Sequence, residues 1–401
     1  ETGAPVCDAI VWQCARAEEI CRKISQNDVE YVREVTGLPV SPYFPAGKMA
    51  WMLKHEPEAG KLAEEGKLCL GTIDSFLLYK LTGGQEFKTD YSNASRTQLL
   101  HLERLEWDAK CCEIFGIPMN CLPQICDSDS LFGWTDLDGM WEEKIPVHAM
   151  LGDSHGALYG QGCHESGGVK ATYGTGSSLM MNTGEKCIHS EHGIVTSLAW
   201  KIAGKENYVL EGNLNYTGAV ITWLKDDVEL IASAKETEQL ARGANPDDTT
   251  YLVPAFSGLG APYWKSEAKA TLYGMRRGTG KKEIVKAALD CIAYQITDIL
   301  EAMEKDSGMK LSRLCVDGGP TRNSYLMKRQ SDMAEISVLV PDAEEMSGIG
   351  VAYLAGITMG IFTKEKAFGN LHYQEYHADM DKETRKRLYD GWKDAVGRVM
   401  M

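Results

Sequence analysis

Val169-Lys170-Ala171-Thr172-Tyr173-Gly174-Thr175-Gly176-Ser177-Ser178-Leu179-Met180-Met181 reads as a strand, a turn of small residues and a second strand. β-branched and aromatic residues flank the two glycines, so the spacing predicts a hairpin. Two further segments obey the same logic, an apolar run that ends in small residues. They are Val147–Leu151 running into Gly152-Asp153-Ser154, and Leu314–Val316 running into Asp317-Gly318-Gly319-Pro320. Glycines at such strand ends adopt positive φ and leave main-chain N–H groups open to a phosphate.

Helical patterns alternate with these strands. Ile284, Val285, Ala288, Leu289, Ile292, Ile296, Ile299, Leu300 and Met303 recur at helical spacing from Lys281, and Gly308 stops the helix. A helix carrying Leu326, Met327, Gln330 and Met333 follows, then a strand at Val338–Pro341. Over Gly348–Gly360, Ala352, Gly356 and Gly360 lie four apart and predict a small-residue face for close packing. Lys382–Val399 reads as an amphipathic docking helix. Further upstream, Ala9–Trp12 reads as a strand end, Ala15–Ile24 as a helix, and Ser75 as the cap of a helix reaching Leu81. Leu122–Pro146, rich in Pro, Asp and Gly, reads as the passage between two domains. The expected fold is α/β.

At 401 residues, with 44% apolar and 25% charged residues, the chain has the composition of a soluble globular protein large enough for two domains. A net charge of −15 argues against nucleic acid or an anionic membrane as partner. No apolar stretch reaches the roughly 20 residues of a membrane span. The 12 cysteines show neither CxxC pairs nor zinc-ligand spacing, so free thiols in a reducing cytoplasm are expected. Neither a Walker loop nor a GxGxxG fingerprint occurs. Transfer of a phosphoryl group to an alcohol needs one carboxylate near the hydroxyl, with backbone donors around the phosphates. Asp153 fits that need, although by position alone a strand-end Asp is more commonly a turn former. His155 is a weaker acid/base candidate beside it.

Several stretches carry a resemblance to a known family. Tyr43–His55, and Ala270–Met275 followed by Glu283–Asp290, are similar to the two signatures of the FGGY carbohydrate kinases. Asp90–Thr97, Met181–Lys186 and Val253–Trp264 resemble its glycerol kinase branch. The resemblance implies two actin-like, ribonuclease-H-like domains with ATP and substrate in the cleft between them. We place the first at 1–147 and the second, with nucleotide motifs and docking helix, at 148–401. By the same resemblance Asp153 is the catalytic base and holds Mg2+ through water. Thr175, Gly218, Thr222, Gly319 and Asn323 contact ATP, while Trp12, Tyr43, Ser154 and Ser178 join Asp153 around the polyol. A homo-oligomer in the cytoplasm is expected.

The chain departs from the family at three of these positions. Ser154 and Thr222 stand where the family has glutamine, and Ser178 where it has an aromatic. A wider, more polar pocket would follow, which keeps a tetritol or ketopentose open as substrate. A catalytically silent actin-like binding protein is the alternative of a different class. Family members also carry a DxGTT phosphate loop and an Arg-Glu pair before the point matched by Glu1. Upstream sequence is therefore expected, and the 401 residues alone are expected to be inactive.

Overall fold

Residues 2–401 are described by a computed structural model; Glu1 lies outside the described residues. The hairpin forms as expected: Val169–Tyr173 pairs antiparallel with Ser177–Gly184, with Ala171 opposite Leu179 and Thr172 opposite Ser178. Lys205–Leu214 and Val195–Ile202 extend the meander on one side. On the other, Arg313–Asp317 runs parallel to Val169–Tyr173, and Ser337–Pro341 runs parallel to Arg313–Asp317. Tyr373–Tyr376 closes this seven-stranded sheet at its edge.

Strand alternation sorts the side chains onto two faces. Val169, Ala171, Tyr173, Leu179 and Met181 pack against the helix Lys281–Ser307 and against Trp392 of the helix Lys382–Met400. Met180, Val209 and Cys315 face the opposite way, towards Leu158 and Tyr159 of the helix Asp153–Gly160 and Leu354 of the helix Met346–Thr358. Helices on both faces of a largely buried sheet make this half α/β. Gly308 ends the long helix in the left-handed region, as its position predicts.

The helices Asp153–Gly160 and Met346–Thr358 touch backbone to backbone. A Cβ on Gly156 would lie 2.7 Å from Ser347 O, and one on Gly350 would overlap Gly156 O. The expected face of Ala352, Gly356 and Gly360 does not make this contact. Gly356 instead accommodates the Phe362 ring, and Gly360 turns the chain after the helix with φ +68°. A side-chain-free contact fixes the height and direction of the helix that starts at Asp153.

The first half is mainly helical among the described residues, with three two-stranded sheets. Val32, Val35, Met49, Leu99 and Phe115 form its core. Four local expectations are corrected. Ala9–Trp12 is not a strand, because Val11 and Trp12 are exposed and have no sheet to pair with. The strand before Asp153 is Ile145–His148, paired with Leu131–Thr135; Ala149, at φ +68°, takes the chain out of extended geometry. The helix Ile73–Leu81 starts after Thr72, leaving Ser75 buried inside it. Leu122–Pro146 is likewise not purely a passage, since it contains Gln124–Cys126 and Leu131–Thr135.

Candidate active site

Asp153 opens its helix with an exposed side chain, and its Oδ1 accepts the Ser154 N–H at 2.5 Å. The peptide before it is anchored from the first half of the chain. Gly152 N–H donates to Ser92 Oγ at 2.9 Å, and Ser92 Oγ donates to Asp90 Oδ1 at 2.9 Å. Asp90 is fully buried and also accepts from Ser92 N, Asn93 N, Asn93 Nδ2 and Ser128 Oγ. Burial pushes its carboxyl up to about 6, against the pull of those donors. A buried acid thus steadies the turn that presents an exposed one.

Beneath that turn lies His155, fully buried. Burial, reinforced by Arg96 and Lys170 nearby, lowers its pKa to about 3. The ring is neutral at physiological pH and faces protein rather than solvent.

The sheet face under this helix changes character along its length. Past the apolar contacts of Met180 and Val209, the same face carries Lys170, Thr172, Ser178, Glu211 and Asn213. Lys170 is fully buried and donates to Thr172 Oγ1 at 3.1 Å and Ser178 O at 3.3 Å. Burial lowers its pKa, while the charges of Asp317, Glu211 and Asp153 act the other way. Arg96 Nη1 reaches Glu211 Oε2 at 2.9 Å, with its guanidinium 5.1 Å over the Phe44 ring. Asn213 Nδ2 holds the other Glu211 oxygen at 2.7 Å.

Tyr43 joins this group. Burial raises its hydroxyl pKa, and Arg96, Glu211 and Asp153 are the charges that act on it. Trp12 meets the Tyr43 ring edge-on at 5.5 Å and is half exposed. Ser178 Oγ, Arg96 Nη1 and Glu211 Oε2 are buried without a hydrogen-bond partner among the described residues. The Arg96–Glu211 contact is a charge pair outside hydrogen-bond alignment. A buried polar atom left unpaired costs about 1–3 kcal/mol, so Ser178 Oγ and the poorly aligned Arg96–Glu211 pair have hydrogen-bonding capacity left to offer.

A second group of residues is held by main-chain contacts. Gly218 N–H donates to Gly174 O at 2.9 Å and Ala219 N–H to Thr175 O at 3.0 Å, while Thr217 Oγ1 donates to Gly174 O at 3.1 Å. A Cβ on Gly218 would lie 2.5 Å from Gly174 O and 3.7 Å from Pro320. Gly318, at φ +95°, brings its own turn against Tyr173 O. The structure therefore brings Thr175, Gly218 and Gly319 together, with Thr175 and Gly319 exposed. Thr222 is exposed one turn beyond Gly218 and bonds its carbonyl at 3.4 Å. Asn323 caps the helix Ser324–Ala334 and donates to Thr237 Oγ1 at 3.1 Å, which fixes the outer rim.

Sequence reasoning did not single out Arg96, Lys170, Glu211 or Asp317. One signal was available for Lys170, a charge in the middle of a strand buried on both faces. Among the described residues no group of three His, Cys, Asp or Glu side chains is placed to hold a metal. Mg2+ in a phosphoryl-transfer site binds through one or two carboxylates, phosphates and water, so the exposed Asp153 carboxylate fits it.

The profile of the FGGY family of carbohydrate kinases, N-terminal domain, matches residues 1–160, and that of its C-terminal domain matches residues 169–359. The chain is 43% identical to the glycerol kinase of Clostridium beijerinckii over 402 residues, covering 99% of this chain and 81% of that one. It is 46% identical to the glycerol kinase of Shewanella baltica, covering 99% and 81%. The crystal structure of Plasmodium falciparum glycerol kinase with ADP superposes with a TM-score of 0.92 at 34% identity, covering 100% of this chain and 80% of that one. The ligand-bound xylulose kinase of Lactobacillus acidophilus shares the fold, with a TM-score of 0.85 at 18% identity over 98% and 80%. The chain belongs to the FGGY family of carbohydrate kinases. It is an ATP-dependent phosphotransferase with a polyol hydroxyl as acceptor, built on the two-domain actin-like fold. Among the described residues no helix is long and apolar enough to cross a membrane.

Proposed function

We propose that this protein transfers the γ-phosphoryl group of ATP to a terminal hydroxyl of glycerol. One observation carries the reading: the exposed Asp153 carboxylate acts electrostatically on Tyr43 and Lys170, the buried neighbours of the Arg96, Glu211 and Ser178 cluster. The Gly174–Gly176, Gly218 and Gly318–Pro320 turns support ATP on the main-chain side. Tyr43, Arg96, Glu211, Ser178 and Trp12 support the polyol on the other.

The Asp153 carboxylate takes the proton of the attacking hydroxyl as its oxygen bonds to the γ-phosphorus. The bond from that phosphorus to the β–γ bridging oxygen breaks, and ADP leaves. Asp153 would hold Mg2+ through water, and the ion would supply charge neutralisation at the phosphates. Exclusion of bulk water by closure of the halves protects ATP from hydrolysis.

The names of the relatives speak for glycerol and do not favour a tetritol or ketopentose. The test is a phosphorylation panel of glycerol, erythritol, xylulose and ribulose, using MgATP and protein from its complete reading frame. Glycerol is expected to be the preferred acceptor. ATP binding without turnover of any acceptor would instead establish the silent binding protein.

A further inference from the structure

Two aromatic walls of the acceptor pocket, Trp12 and Tyr43, lie 31 positions apart on irregular segments, and their rings meet only edge to face. Irregular segments hold such geometry only if something fixes their main chains. Lys48 is that link. It sits in the first turn of the helix Pro45–His55 and is buried. Its ammonium donates to Tyr43 O at 3.0 Å, to Trp12 O at 3.3 Å and to Pro42 O.

Those three carbonyls saturate the three donors of an ammonium. Among the described residues no carboxylate pairs with Lys48, and the ionisable groups that act on it are the thiols of Cys14 and Cys21. Burying a cation without a counter-ion is costly, and an apolar residue would fill the volume more cheaply. What the lysine supplies is geometry, because one point charge draws carbonyls from both segments to a single centre. The rest of the Trp12 segment docks on the same helix. Gly47 would place a Cβ 3.2 Å from Ala17 and 3.1 Å from Cys21, and Arg16 lies 4.8 Å over the Trp51 ring.

We propose that Lys48 is a positioning residue for the acceptor pocket, setting Trp12 and Tyr43 against one another through their main-chain carbonyls. The proposal rests on the assignment of Trp12 and Tyr43 to that pocket. With all three donors taken by carbonyls, Lys48 acts only through the two aromatics.

The test uses Lys48→Met, which keeps the length and removes the donors, in protein from the complete reading frame. The polyol KM is expected to rise roughly tenfold or more, as for a displaced binding group, with the ATP KM within about twofold of the parent. A second readout needs no turnover: acrylamide quenching of Trp12, taken as the difference between each protein and its Trp12→Phe counterpart. In Lys48→Met the Trp12 signal is expected to become more quenchable and red-shifted. If Lys48→Met does not fold, Lys48→Arg carries the same two readouts. An unchanged Trp12 signal, or equal rises in both KM values, overturns the proposal. If the parent phosphorylates no polyol, the kinase reading fails and Trp12 quenching alone decides the role of Lys48.

Discussion

The two walls proposed for the cleft, one for nucleotide and one for acceptor, are built from different materials. The nucleotide wall is peptide backbone, with Gly176, Gly218 and Gly318 touching carbonyls that any larger residue would displace. The acceptor wall is side chain, with Arg96, Glu211, Lys170 and Tyr43 gathered from distant segments by charge and burial. The first kind binds a ligand common to many enzymes through atoms every residue has. The second binds through chemistry specific to a few positions, so substitutions on it should alter choice of acceptor and leave ATP untouched. Asp153 belongs to both, and its removal should have the largest effect. Asp153→Asn is expected to lower kcat by about 10²–10⁴-fold, the range for loss of a general base. Thermal unfolding should be little changed, since the side chain is exposed.

Arg96→Met should separate the walls next. It leaves Glu211, whose side chain is 4% exposed, without its cation. Breaking a buried pair from one side costs about 3–5 kcal/mol, and Lys170 nearby should hold the loss towards the lower figure. Denaturant unfolding reads that loss, and steady-state kinetics should show a higher polyol KM with the ATP KM unmoved. Arg96→Met with Glu211→Met should recover stability but not the polyol KM. Gly218→Ala is the mirror experiment with a smaller effect. The added methyl meets Gly174 O at 2.5 Å and must shift the turn. A roughly tenfold rise in ATP KM is expected, about 1.4 kcal/mol, with polyol KM constant. Polyol KM moving with ATP KM would show that the walls are not independent.

The same difference explains what could be read in the chain beforehand. A backbone wall writes itself locally: Gly174-Thr175-Gly176 and Asp317-Gly318-Gly319 announce tight turns after strands, and those strands formed where expected. A side-chain wall does not, because nothing near Arg96 in sequence points to Glu211, its partner in the same wall 2.9 Å away. The small-residue face failed for a related reason. Helical spacing picked out Ala352, Gly356 and Gly360, but the partner helix selects Gly350 through Gly156, and the partner was not visible in the segment. Ala9–Trp12 failed because apolar residues in a row predict burial without saying whether a sheet lies alongside.

The smallest effect at neutral pH belongs to His155, which lies under the junction of the walls and should couple its integrity to acid. Burial lowers its pKa to about 3, and burial lowers that of His164 to about 4, with Lys364 contributing. A histidine with a depressed folded pKa stays neutral in the native state while the unfolded chain takes up its proton near 6.5. Its contribution is therefore complete above about 6.5 and falls as pH drops towards the folded value. Each histidine contributes a slope of up to about 1.4 kcal/mol per pH unit across that window. Asp90 works in the opposite sense. Its folded pKa of about 6 is raised, so its protonation below that pH favours the native state and offsets part of the loss. Stability should thus begin to fall below about pH 6.5, and below about 6 the protonation of Asp90 offsets the slope of one of the two histidines. In His155→Gln, denaturation midpoints followed from pH 7 to pH 4 should show a shallower decline, with little difference from the parent at pH 7. An unchanged slope would mean that His155 reaches solvent in the native state, and that the turn presenting Asp153 is looser than its Ser92 and Asp90 anchor implies.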